Sequence, residues 1–176
     1  MRATDANLVD LARTASLPRI PVADIPPPTL FAAPEGAATP EAYFSPSTPH
    51  RVERIAQAKA AGFVESTDVD YLVPPYQHGV RVVRLRDAAG AVSFARAHLG
   101  NLCSEPMADL AGLPGSNGIV YRSVDNGLVI AEFVLGDSEV MLFICECVPG
   151  DRIAIATAWY ERIVAELATG PEVTVP

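Results

Sequence analysis

The C-terminal half of the chain contains apolar runs rich in residues that favour β-strands, and turn residues bound these runs. Two such runs, 118–124 and 128–135, are separated by a short polar segment that contains Asn126 and Gly127. Asn-Gly favours a tight hairpin turn because both central residues of that turn need positive φ. A third run, 139–147, follows a second turn. The pattern therefore predicts a three-stranded antiparallel meander.

A helical period appears upstream of the meander. The first predicted helix has Ser47 or Thr48 as its N-cap and Pro49 at its first position, where proline is favoured. Gly62 supplies the left-handed residue that ends it. Its predicted apolar face consists of Val52, Ile55, Ala56 and Phe63.

Two further helices are each preceded by an aspartate. Asp87 precedes 88–102 and Asp151 precedes 152–168, and an aspartate at an N-cap accepts a backbone hydrogen bond. Short strands are also predicted at 68–73 and 79–85. Sequential hairpins favour an α+β fold, in which an antiparallel sheet of two strands and then the meander carries helices packed on one face.

The N-terminal segment is rich in proline, which donates no backbone hydrogen bond and so avoids sheet interiors. We predict an extended arm over residues 1–46 with a possible short N-terminal helix, a single domain over 47–170 and a tail over 171–176. The arm is expected to lie over the domain or over a partner. The candidate binding residues are aromatic: Phe31, Tyr43, Phe44 and Trp159.

Composition and charge exclude several classes of protein. Apolar residues make up 49% of the chain, which rules out a disordered protein. The net charge of −8 argues against nucleic acid as a partner, because a phosphate-binding groove needs clustered Lys and Arg. No apolar run reaches the ~18 residues of a transmembrane helix. Residues 1–20 do not resemble a signal peptide, so we expect either a cytoplasmic protein or one whose export signal has been removed.

Three cysteines, Cys103, Cys145 and Cys147, are enough for one disulfide. One interpretation is a bridge from Cys103 to Cys145 or Cys147, and a second is a set of buried free thiols. A third is a metal site completed by His98. However, Cys-x-Cys on a flat strand separates its sulfurs by ~6–7 Å, which is wide for one zinc ion with ~2.3 Å bonds. We predict no metal site and no cofactor.

Nucleophilic catalysis requires a base within hydrogen-bond reach of the nucleophile. The chain has three histidines, His50, His78 and His98, and no Gly-x-Ser-x-Gly motif. We interpret His98, on a helix flank, as a structural histidine and predict no catalytic residue. The strand glutamates are predicted to be solvated charges on the sheet: Glu132, Glu139 and Glu146.

The stretch Gly79–Leu167 resembles the secreted lipoprotein domains of mycobacteria and related actinobacteria, some of which have a PsbP-like α+β fold. The matching segments are Arg84–Asp87, Phe94-Ala95, Pro149–Asp151 and Ala156–Ala158. In that family a cysteine at a helix end often bridges to a meander strand, which implies a bridge from Cys103 to Cys145 or Cys147. The resemblance also implies a location in the cell envelope.

The leading functional hypothesis is a non-enzymatic cell-envelope or extracellular protein that binds a partner protein or an apolar envelope molecule. Disulfide-compatible cysteines, the acidic composition and the proline-rich arm motivate it. An alternative is a cytoplasmic accessory or chaperone-like subunit whose arm, residues 17–46, wraps a partner. A small hydrolase or metal enzyme is the third hypothesis.

Overall fold

The fold is built on one antiparallel sheet with helices packed against it. The computed structural model describes residues 29–30, 35–73, 76–100, 104–109, 118–123, 128–145, 151–157 and 160–161. The strands in these ranges are β1 Thr29–Leu30, β2 Glu35–Ala37, β3 Phe63–Val73, β4 Tyr76–Leu85, β5 Ser104–Asp109, β6 Ile119–Ser123, β7 Leu128–Leu135 and β8 Ser138–Cys145. The helices are α1 Pro40–Tyr43, α2 Arg51–Ala61 and α3 Ala88–Gly100, and residues 152–157 are also helical.

The strand order is β1-β3-β4-β8-β7-β6-β5, and β2 also pairs with β3. The predicted α+β class and the meander β6-β7-β8 are confirmed, and the meander joins the rest of the sheet through β8 and β4. The hairpin β3-β4 is longer than predicted, with pairing from Phe63↔Leu85 to Val73↔Tyr76. Asn126 and Gly127 lie outside the described residues.

Strand β5 contains Pro106, a residue type that avoids sheet interiors. In the described part of the chain β5 is the last strand in the order and pairs with β6, and such an edge strand tolerates a residue that has no backbone N–H to donate. The register shifts between Pro106 and Ala108, a typical irregularity at a sheet edge. The edge position is what makes a strand compatible with Pro106.

Part of the predicted arm belongs to the domain. Strands β1 and β2 pair with β3, and Thr39 caps α1 by accepting a hydrogen bond from the Ala42 backbone N–H. Arg51 Nε donates to the Phe44 carbonyl over 2.8 Å and so ties α1 to α2. The structure therefore has no boundary between residues 46 and 47, because the free edge of β3 pairs with the preceding chain.

Helix α2 begins later than predicted and buries a different face. His50 is its N-cap, in a left-handed conformation with φ 54°, and makes no side-chain capping bond. The buried residues are Ala58 and Ala61, whereas Val52 is 82% exposed. The small alanines allow α2 to lie close to α3. Gly62 ends the helix with φ 79°, as predicted.

The two predicted aspartate caps are confirmed. Asp87 Oδ1 accepts from the Gly90 backbone N–H over 2.8 Å at the start of α3. Asp151 Oδ1 accepts from the Ile153 backbone N–H over 2.9 Å at the start of the C-terminal helical segment. Each carboxylate satisfies a backbone donor that the helix leaves without an internal partner.

Helices cover both faces of the sheet, which differs from the prediction of one covered face. Glu132 on β7 faces α3 through its contact with His98, so the next residue, Phe133, faces the other way. The Phe133 ring meets that of Tyr160 edge to face, with centroids 4.7 Å apart. The core on the α2-α3 side includes Val83, Leu85, Phe94, Tyr121, Ile130 and Met141. None of the described helices is long and apolar enough to cross a lipid bilayer.

Candidate functional site

Two glutamates lie inside the domain, beneath helix α3. Glu132 on β7 is 1% exposed and Glu139 on β8 is 0% exposed. The register pairs Glu132 with Met141 and Val134 with Glu139, so both carboxylates point to the same face as diagonal neighbours. The prediction that they are solvated was wrong, because the pattern along a strand does not reveal which of its faces a distant helix covers.

His98 and Tyr121 both contact the carboxylate of Glu132. His98 Nδ1 lies 2.9 Å from Glu132 Oε2, and the Tyr121 hydroxyl donates to the same oxygen over 2.9 Å. His98 Nδ1 is also 3.7 Å from Glu139 Oε1. Burial, followed by the charge of Glu132, raises the pKa of Tyr121, so this phenol stays protonated and acts as a donor. Helix α3 and three adjacent strands thus meet at one polar cluster.

Glu139 is the least satisfied member of the cluster. Among the described residues, no donor reaches either of its carboxylate oxygens or Glu132 Oε1. Burial, and then repulsion by Glu132, raises the pKa of Glu139 well above its usual 4.5. A protonated Glu139 can donate to Glu132, which is how two buried carboxyl groups share one proton.

Arg81 on β4 is the nearby permanent cation. It forms an ion pair with Asp68 on β3, and its guanidinium lies over the Phe143 ring at 5.2 Å from the centroid and over the Tyr43 ring at 5.4 Å. Its charge lowers the pKa of Glu139 only slightly compared with the effect of burial. Because Asp68 already neutralises Arg81, the two glutamates lack a full positive counterpart on the sheet.

A shallow cleft opens between α2 and α3, directly above this cluster. The space that it encloses is about 10 Å³, room for about one water molecule. The lining residues are Phe44, Arg54, Gln57, Phe94, Ala97 and His98. His98, whose side chain is 17% exposed, is shared by the cleft and the carboxylate cluster. His98 therefore links the cleft to the buried glutamates.

The structure places the other predicted site residues apart from this cluster. Tyr43 and Phe44 pack within the domain, where Tyr43 contacts Phe63 and Phe94, so their rings are not on an outstretched arm. Cys145 ends β8 and is not a free thiol. Four predicted site residues lie outside the described ranges: Phe31, Cys103, Cys147 and Trp159. The disulfide and its partner therefore stay predictions.

One of the three interpretations of the cysteines is a metal site completed by His98, although no metal site is predicted from the sequence. Within the described ranges, the group of side chains that could hold a cation comprises His98, Glu132 and Glu139, and Cys145 is not part of it. No sequence motif announces this group, since the histidine and the glutamates lie on separate elements. Only the unusual presence of glutamates in strongly apolar strands could have signalled it.

Comparison with protein families, curated proteins and solved structures finds no match to this chain. The resemblance to actinobacterial envelope lipoproteins stays a prediction. Function is therefore argued from the cleft and from the cluster beneath it.

Proposed function

We propose that this protein is a non-enzymatic cell-envelope domain that binds a partner protein by accepting one of the partner's side chains between α2 and α3. The observation that carries the proposal is the cleft itself, an open site with aromatic walls and polar groups at its rim. A buried aromatic or aliphatic anchor in such a site is the usual energetic centre of a protein interface.

The size of the cleft favours a side chain over a larger ligand. Sites for drug-sized molecules enclose roughly 300–1,000 Å³ and surround most of the ligand. The cleft encloses about 10 Å³, so it can seat the end of one side chain but not a lipid or another large envelope molecule. Phe44 and Phe94 would contact the apolar part of the anchor, and Gln57 lies where it can meet a polar edge.

The lining of the cleft favours binding over nucleophilic catalysis. His98 Nδ1 faces the carboxylates of Glu132 and Glu139, an orientation that a catalytic histidine also has, but the residues that line the cleft include no hydroxyl or thiol that could act as a nucleophile. A histidine held in this way is positioned by the core of the domain. It can therefore offer a fixed polar contact to a bound partner.

Two observations bear on the compartment and on the alternative hypothesis. Cys145 is not a free thiol, and a disulfide there would fit the oxidising cell envelope. Residues 35–46 pack on the domain itself, which counts against a cytoplasmic subunit whose arm wraps a partner. Counting thiols in denatured protein purified without reductant tests the location. One free thiol supports export, and three would exclude it.

A photo-crosslinking experiment tests the cleft. A crosslinking amino acid at Gln57 is compared with the same group at Ala56, an exposed neighbour on α2 that does not line the cleft. We expect a discrete protein adduct from Gln57 only, and its loss when Ala97→Trp fills the cleft. Ser93→Trp, on the exposed side of α3, is the matched control and should leave the adduct unchanged. Equal adducts from both positions, or adducts to lipid alone, would overturn the proposal.

A further inference from the structure

We propose that His98, Glu132 and Glu139 form a binding site for one divalent transition-metal ion of the Zn²⁺, Mn²⁺ and Fe²⁺ class. The site shares His98 with the cleft proposed to bind a partner, but it does not depend on that function. It rests on the spacing of the three side chains, on their burial and on their unsatisfied oxygens.

The spacing already suits a shared ion. The three potential ligand atoms all lie within 4.8 Å of one another. Two ligands at ~2.1 Å from a metal are ~3.0 Å apart at a right angle and ~3.4–3.7 Å apart at wider angles. The separations from His98 Nδ1 are 2.9 Å to Glu132 Oε2 and 3.7 Å to Glu139 Oε1, so only small side-chain rotations are needed to admit an ion.

Both glutamates have carboxylate oxygens that could coordinate an ion. Glu139 is fully buried, and within the described part of the chain no donor reaches either of its oxygens. Glu132 Oε1 likewise accepts no hydrogen bond from the described residues. Buried carboxylate oxygens without partners are costly, and buried charges are generally paired or bound to metals. A cation held by one oxygen of each side chain would give the Glu139 carboxylate a partner.

The charges around the three side chains also favour a bound cation. Two carboxylates face one imidazole, and the nearby Arg81 is already paired with Asp68 on β3. A divalent cation would displace the proton that Glu139 carries in the metal-free chain and would neutralise both carboxylates without any further protein charge. No other described residue group offers this combination of three ligand-bearing side chains at binding distance.

The donor set selects the class of ion. Imidazole suits zinc, iron, copper and nickel, and carboxylates also suit manganese, whereas calcium and magnesium prefer all-oxygen sites. Tyr121 donates to Glu132 Oε2 and would hold this ligand in place as an outer partner. With three protein ligands, a coordination position remains for water or another solute, and His98 brings this position close to the cleft.

Metal titration of the full chain tests the site. Protein stripped with a chelator and dialysed is titrated with Zn²⁺ and with Mn²⁺ by calorimetry, and we expect one ion to bind per chain. Glu132→Gln and Glu139→Gln should each weaken binding more than about 100-fold, since loss of an outer partner alone costs about 10–100-fold. Glu53→Gln, on the exposed surface of α2, should bind as the wild type does.

Two further measurements separate this site from the cysteines and from misfolding. Bound Co²⁺ should lack the thiolate charge-transfer absorption that a cysteine site produces. Circular dichroism checks that each variant is folded, and if a glutamine variant is not, Tyr121→Phe serves instead and should weaken binding about 10-fold. The proposal is overturned if the wild type binds no stoichiometric ion, if binding survives both glutamine variants, or if Co²⁺ is held by thiolate.

Discussion

His98 on α3 and Glu132 on β7, 34 residues apart in the chain, are joined by a contact of 2.9 Å between Nδ1 and Oε2. The residues around this contact on the α2-α3 side form an apolar core. Apolar contacts tolerate sliding and rotation, whereas a hydrogen bond between two fixed atoms does not. The pair therefore defines how helix α3 is positioned over the sheet.

The first prediction concerns this pair. His98→Ala should lower the free energy of unfolding by about 1–3 kcal/mol, because it leaves the buried Glu132 carboxylate with one partner fewer. Urea denaturation followed by circular dichroism measures the change. Arg96→Ala, on the exposed face of the same helix, is the control and should stay within about 0.5 kcal/mol of the wild type. Equal effects of the two substitutions would mean that the contact contributes nothing.

The second prediction concerns the pH dependence of metal-free protein, measured with chelator present. The pKa of Glu139 is raised in the folded state from its usual 4.5, so the folded chain binds this proton more tightly than the unfolded chain. Its contribution to stability is complete below pH 4.5 and is lost as the pH rises through the folded-state pKa. The free energy of unfolding should therefore decline as the pH rises from 4.5 to the folded-state pKa of Glu139.

Glu139→Gln removes this titration while preserving the shape of the side chain. The variant should gain stability relative to the wild type as the pH increases, and denaturation curves at a series of pH values measure the difference. Glu53→Gln serves as the control, since its exposed carboxyl should leave the pH profile unchanged. Parallel profiles for the wild type and Glu139→Gln would show that Glu139 is not protonated in the folded chain.

The third prediction concerns the close approach of α2 and α3. A Cβ atom added to Gly90 would lie 2.2 Å from the Ala61 carbonyl oxygen, so Gly90→Ala must push the helices apart. We expect a loss of about 1–3 kcal/mol in the free energy of unfolding. Gly100→Ala meets nothing within 4 Å and should be neutral or stabilise by up to about 1 kcal/mol. Thermal denaturation of both variants compares them, and similar melting temperatures would contradict the close packing.

The fourth prediction concerns the cap of α3. The backbone N–H of Gly90, and then Arg86, lower the pKa of Asp87, so its contribution is present above pH 3.8 and is lost as the pH falls. Asp87→Ala should lower the melting temperature at neutral pH, whereas Asp87→Asn should keep most of the cap because asparagine also accepts the bond. A melting temperature of Asp87→Asn as low as that of Asp87→Ala would show that the charge alone matters.

Local signals in the sequence predicted the parts of the fold that depend on neighbouring residues. Asp87 and Asp151 cap helices because a short acceptor precedes a helical run, and Gly62 ends a helix because it tolerates positive φ. The three strands of the meander follow from the β-favouring residues of the three runs and from the turn residues between them. Each of these features is determined within a few residues of the chain, which is why it could be read directly.

The remaining features depend on contacts between distant segments. Glu132 is buried only because α3 crosses above it, and nothing near it in the chain specifies that crossing. Strand β5 is compatible with Pro106 only because it lies at an edge. Tyr43 and Phe44 enter the core because α1 packs beside α2. The candidate metal site combines three such non-local facts, so its prediction required the structure.

Strand β8 lies between β4 and β7 in the sheet, although it is the last strand of the described chain. On the ribosome, the hairpin β3-β4 and the strands β5 to β7 are therefore synthesised before the strand that unites them. Pairing such as Val83↔Glu139 closes a long loop, which slows folding. Until β8 emerges, the edges of β4 and β7 that pair with it stay unpaired by that strand. When β8 inserts between them, it also brings Glu139 into the core.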